Sequence, residues 1–321
     1  MARYRQGSLS ATVINVSSVP DDQRPRRDRC TTPDGLDIAV YDFGGQGPDL
    51  LLVHATGFCA EVFGPLARSL GVRYHCWGLD LRAHGQSDRP RDGNFAWSGF
   101  TTDVLTAITH LGLQGPTAFG HSCGGAAVLL AEEARPGTFS SLYCFEPVVF
   151  AEPVSGALAN FAENPLTVGA RRRRETFPSA EDAFLNFTSK PPFRDLDPEA
   201  LRCYVEAGFE LIPPDEGGDG RSVRLLCRRE DEAEVYAQGA SHGAFGHLGE
   251  IDCQVTLGCG ERTDAFGPSY LEADAAQLQH STVEVIPGIG HFGPLQQPEL
   301  VASSVLRALD TVDETHPRRS L

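Results

Sequence analysis

Between residues 36 and 43 polar and apolar side chains alternate, the period of a half-buried strand, and Gly44-Gly45-Gln46-Gly47-Pro48 then turns the chain into the apolar run Leu50-Leu51-Leu52-Val53. A run without alternation is the mark of a strand covered on both faces. Further strands are predicted at 74–79, 117–119, 141–145, 254–257 and 282–286, each separated from the next by enough chain for a helix. This βαβ rhythm predicts an α/β fold, a mostly parallel central sheet with helices on both faces.

Between about 151 and 248 the rhythm stops and helical patterns replace it. Ser179, with Asp182 three residues later, is placed to cap a helix carrying Ala183, Phe184 and Phe187. Pro198 is placed to open another, whose stripe Leu201, Tyr204, Val205, Gly208 and Phe209 must bury against a neighbour. The quartet Arg171 to Arg174 reads as a solvated helix face. Residues 1–30 end in a charged stretch without periodicity and read as a flexible extension, and 311–321 as a tail.

A length of 321 residues suits one catalytic core with an insertion, and a 41% hydrophobic, 22% charged composition suits an ordinary globular chain. The formal charge of −16 repels polyphosphate, so nucleic acid is excluded as an expected partner. Nine cysteines form no CxxC pair and several lie in apolar runs, which favours buried thiols in a reducing compartment over disulfides or a metal site. No apolar stretch has the length of a signal peptide core or a membrane span, so a cytoplasmic protein without a membrane partner is expected; the Ser-rich, acid-free first 20 residues leave a transit peptide as the alternative.

Chemistry concentrates in Gly120-His121-Ser122-Cys123-Gly124, a G-x-S-x-G pattern between a short predicted strand and the helix-forming Ala126 to Ala131. Ser122 on such a turn projects its hydroxyl into the crevice at the carboxyl edge of the sheet, and the next helix aims backbone N–H groups at developing negative charge. A serine needs a base to take its proton, and His291, in the glycine-rich loop Pro287 to Pro294 after a strand, is placed to supply it. The imidazole in turn needs a carboxylate. Chain order points to Asp264 in the loop Gly258 to Phe266, with Glu146, directly after the strand ending at Phe145, and Glu261 as alternatives. The oxyanion requires two amides. Cys123 is expected to supply one, and Thr56, with Gly57 as alternative, the other, while His54 at the strand end is read as ordering that loop.

From about residue 31 to 310, apart from the middle insertion, these features resemble the α/β-hydrolase fold family. Besides the elbow and the late histidine, Asp80-Leu81-Arg82-Ala83-His84-Gly85-Gln86-Ser87 is similar to the family's D-x-R-x-H-G-x-S loop. The resemblance implies core segments at 31–150 and 249–310 and a helical cap or lid at 151–248 that covers the crevice. It also implies that the Asp80 loop is structural. A serine at the elbow disfavours epoxide opening and halide displacement, for which relatives place aspartate there. The expected function is hydrolysis of a small, fairly apolar ester, lactone or related acyl compound through an acyl-enzyme, with no metal or cofactor. Carbon–carbon bond hydrolysis, acyl transfer, cofactor-free perhydrolysis and ligand binding without catalysis are the alternatives on the same site.

Overall fold

The computed structural model describes residues 18–151 and 164–315. Eight strands form one sheet: β1 (Arg26–Thr31), β2 (Asp37–Gly45), β3 (Asp49–Val53), β4 (His75–Leu79), β5 (Thr117–His121), β6 (Ser141–Phe145), β10 (Gln254–Gly260) and β11 (Ser281–Ile286), in spatial order β1-β2-β4-β3-β5-β6-β10-β11. The β1–β2 and β2–β4 pairs are antiparallel and all others parallel, so the predicted α/β fold is present. The central strands β5 and β6 are buried along their whole length, as strands covered by helices on both faces are.

Helices cover both faces. One core packs α2 (Trp97–Leu111) and α3 (Cys123–Ala134) on the sheet through Phe100, Val104, Val128 and Leu129. The other packs α1 (Gly64–Leu70) and α10 (Pro298–Thr315) through Leu66, Leu70, Val301 and Val305, and it continues into Phe184 and Tyr204 of the insertion. Helix α2 stops because Gly112 takes a left-handed conformation, φ 67°, and its N–H caps the carbonyls of Ile108 and Thr109.

The insertion carries α4 (Pro165–Arg171), α5 (Ala180–Thr188), α6 (Pro198–Ala207) and α7 (Arg229–Ala237). Ser179 caps α5 by accepting from Asp182 N, and Pro198 opens α6. Two expectations need correction here. The insertion is not purely helical, because β7 (Thr176–Phe177), β8 (Phe209–Leu211) and β9 (Val223–Leu225) form a small antiparallel sheet, which takes Phe209 out of the helical stripe. The N-terminal extension ends earlier than residue 30, because Arg26–Thr31 is the sheet's edge strand. The parts of the expected extension, cap and tail at 1–17, 152–163 and 316–321 lie outside the described residues. After β10, α8 (Pro268–Ala275) leads back to β11, and α9 (Gly293–Gln296) follows the His291 loop. Among the described residues no helix is long and apolar enough to cross a membrane.

Candidate active site

Ser122 stands between β5 and α3 at φ 55°, ψ −114°, a region that L residues rarely occupy and that costs of order 1–3 kcal/mol. The glycines on either side make the turn possible. A Cβ on Gly124 would come within 2.2 Å of Val53 O, and one on Gly120 within 2.6 Å of Gly124 O. The turn is held from β6 as well, through Ser122 N to Phe145 O at 2.9 Å and Val148 N to Ser122 O at 3.2 Å.

His291 meets a carboxylate, and it belongs to Glu146. The imidazole Nδ1–H donates to Glu146 Oε2 at 2.7 Å, and the Glu146 side chain is fully buried. The same carboxylate accepts from Gly260 N at 3.0 Å, Thr263 Oγ1 at 2.6 Å and Phe266 N at 3.4 Å, so a buried charge is satisfied on all sides. The expected acid, Asp264, is exposed, and no hydrogen bond joins it to His291. Its loop does reach the site, but it presents Thr263 and backbone amides to Glu146. Glu261 is also exposed and accepts from Gly288 N at 3.0 Å, which shapes the histidine loop from outside. The signal that favours Glu146 is a carboxylate placed directly after a wholly buried strand adjacent to the nucleophile's own. Like Ser122, it needs a strained backbone, φ 46°.

His121, a residue absent from the expectations, ties base and nucleophile together. Its Nε2–H donates to His291 O at 2.8 Å, and the two rings lie 5.0 Å apart. Burial holds its pKa far below the usual imidazole range, so it is a neutral strut. Among the described residues no hydrogen bond joins Ser122 Oγ to His291, a contact that free enzymes often leave long until substrate binds.

The oxyanion loop follows β3. His54 is buried, donates from Nδ1 to Ala55 O at 2.8 Å and accepts at Nε2 from Leu81 N at 3.0 Å; burial lowers its pKa to about 4. Both nitrogens are spent on holding the loop, as expected. Thr56 in this loop and Cys123 at the start of α3 are both buried.

Residues 50–304 match the model of the alpha/beta hydrolase family. The chain belongs to this family. It is 23% identical over 268 residues to a 2-(acetamidomethylene)succinate hydrolase of Mesorhizobium japonicum, covering 83% of this chain and 89% of that protein. It is 33% identical over 269 residues to the magnesium-chelatase 30 kDa subunit of Rhodobacter capsulatus, covering 80% and 85%. Among solved structures, the peroxisomal α/β-hydrolase Lpx1 of Saccharomyces cerevisiae superposes with a TM-score of 0.76 at 18% identity over 92% of each chain.

In this α/β-hydrolase the Asp80 loop is a buried brace. Asp80 accepts from Tyr41 Oη, Ala60 N and Gln86 N at 2.6–2.8 Å, and Arg82 pairs with Asp103 at 2.8 Å and Asp34 at 3.0 Å. The arginine quartet needs correction. Arg171 pairs with Glu234 on the surface, but Arg173 turns inward, pairs with Glu232 at 2.8 Å and donates to Tyr204 Oη. Nothing in four consecutive arginines singles out the third. Only the chain reversal between α4 and β7 sends it into the insertion's aromatic core. Among the described residues no group of three or more His, Cys, Asp or Glu side chains is placed to hold a metal ion.

Proposed function

We propose that this α/β-hydrolase cleaves a small acyl compound, an ester, lactone or related substrate, through a covalent intermediate on Ser122. The observation that carries this reading is the 2.7 Å bond from His291 Nδ1 to the buried Glu146 carboxylate, beside a serine on a strained turn. With its Nδ1 proton committed to Glu146, the imidazole keeps Nε2 as the basic nitrogen. It takes the Ser122 proton as Oγ attacks the acyl carbon. The imidazolium that results is stabilised by Glu146 and then protonates the leaving group. The Thr56 and Cys123 amides hold the oxyanion, each contributing about 3 kcal/mol to the transition state. Water, activated by the same imidazole, releases the acid.

Aromatic rings from the core and the insertion, Phe58, Phe193, Tyr204 and Phe292, pack against one another beside this machinery and favour an apolar segment in the substrate. A relative named as a hydrolase of a small succinate derivative supports the same class. The experiment is hydrolysis of chromogenic esters of graded acyl length by wild type and Ser122→Ala. The variant loses about 10⁶-fold in kcat with its fold intact; equal turnover by the two removes the mechanism. Diversion of the acyl group to an added alcohol or thiol in preference to water would reassign the protein as an acyltransferase.

A further inference from the structure

The proposed mechanism uses neither Arg173 nor Glu232, yet both reach the oxyanion loop. A Cβ built on Gly57 would lie 2.7 Å from Glu232 Oε1 and 3.3 Å from Arg173 Nη1, so the ion pair lies one residue beyond Thr56. Rings complete the path. Phe292, next to the base, packs on Phe58 at 5.7 Å, and Phe58 packs on Tyr204 at 5.1 Å and on Phe193 at 5.7 Å. The Arg173 guanidinium is 5.8 Å from the Phe187 ring, 5.5 Å from Phe193 and 5.8 Å from Tyr204.

A guanidinium in such a box is costly to desolvate and is retained where its donors are used. Of its five N–H groups, one goes to Glu232 Oε2 and one to Tyr204 Oη, which leaves three without a partner among the described residues, and the side chain keeps 14% of its exposure. Elsewhere in this protein a single arginine serves two carboxylates: Arg82 holds Asp103 and Asp34, and Arg224 holds Glu210 and Glu216. Among the described residues Arg173 has one carboxylate partner and donors to spare. Burial is the largest influence and works against its charge, but Glu232 and Tyr204 together outweigh it and raise its pKa, so the guanidinium itself stays charged at any working pH.

We infer that Arg173 is a specificity residue, and that the acyl substrate carries a carboxylate which takes the second place on its guanidinium while the aromatic rings hold the carbon chain between. This rests on the serine-hydrolase reading above. A planar, bidentate donor matches a carboxylate better than any neutral group, and the low-dielectric box strengthens the match.

The test compares ethyl hydrogen succinate, glutarate and adipate with isosteric ethyl esters that end in an isopropyl group, followed by ethanol release. Wild type should favour the carboxylate over its isostere by at least tenfold in kcat/KM at one chain length. In Arg173→Gln that ratio should fall at least tenfold, chiefly through KM, and Arg173→Lys should restore part of it. Glu232→Gln frees the guanidinium's charge and should raise the ratio severalfold, so it carries the test if Arg173→Gln does not fold. The inference is overturned if Arg173→Gln lowers both ester sets by one factor and Glu232→Gln lowers the ratio, the pattern of a plain latch between insertion and core. It is overturned too if wild type cleaves the isosteres without preferring a carboxylate at any length. If wild type cleaves neither set and a phosphonate leaves Ser122 unlabelled, the serine-hydrolase reading fails, and the inference fails with it.

Discussion

Replacing Glu146 by Gln changes one atom in a fully buried side chain that accepts four hydrogen bonds, and those bonds set the consequences. The carboxylate's two oxygens accept from Gly260 N on one side and from His291 Nδ1, Thr263 Oγ1 and Phe266 N on the other. A carboxamide has one acceptor oxygen. If that oxygen faces Thr263 and His291, the new NH₂ meets the Gly260 N–H, donor against donor, in the protein interior. If the NH₂ faces His291, it donates to Nδ1 and moves the ring proton to Nε2, the nitrogen that must receive the Ser122 proton. Either arrangement also removes the charge that stabilises the imidazolium. The wrong tautomer in a Ser-His-Asp triad costs about 10⁴ in kcat, or about 5 kcal/mol of barrier. Glu146→Gln is therefore expected to lose about 10⁴-fold in kcat on a chromogenic ester while circular dichroism shows native secondary structure. Asp264→Asn, on an exposed side chain, should stay within twofold. Near-wild-type turnover by Glu146→Gln, or an equal loss in Asp264→Asn, refutes the assignment.

Two further predictions concern stability and the oxyanion loop. Asp274, buried in α8, has its pKa pushed up to about 7 by burial, far above the usual carboxylate range, so stability is full below about pH 4 and declines as pH rises toward 7. Asp274→Asn removes that decline. Its stability relative to wild type should rise by about 3 kcal/mol between about pH 5 and about pH 8, measured by urea unfolding, and a pH-independent difference would refute the burial argument. Gly57→Ala places a methyl against Glu232 Oε1 in a left-handed conformation, φ 81°, and should cost about 1–2 kcal/mol of stability. It should also lower kcat at least tenfold by shifting the Thr56 amide. Unchanged kcat would detach this loop from the chemistry.

Much of this molecule is legible in its sequence because the central strands are short apolar runs set between turn residues, with Leu50 to Val53 and Ser141 to Phe145 the clearest. The elbow is legible for the same reason: glycines crowded to 2.2 Å leave a local mark. What escapes is carried by contacts between distant segments. Strand β1, Arg-Arg-Asp-Arg-Cys-Thr, buries one residue and keeps the rest in water, the charged edge that discourages further pairing, so no alternation announces it. Strands β7, β8 and β9 have two or three residues each, too few for a period. Glu146 and Asp264 both follow sheet strands, and only the twist and register of β6 beside β10 decide which one meets His291. Arg173 is indistinguishable from its three neighbours until the chain reverses.

The chemistry proposed for this hydrolase turns on Ser122, activated by His291 and Glu146, forming a covalent bond with its substrate. Reaction with a fluorophosphonate followed by peptide mass mapping reads that bond at the residue that makes it. One adduct per chain is expected, on Ser122, absent in Ser122→Ala and slowed by orders of magnitude in Glu146→Gln; an adduct on another residue, or none in an enzyme that still turns over esters, would contradict the mechanism.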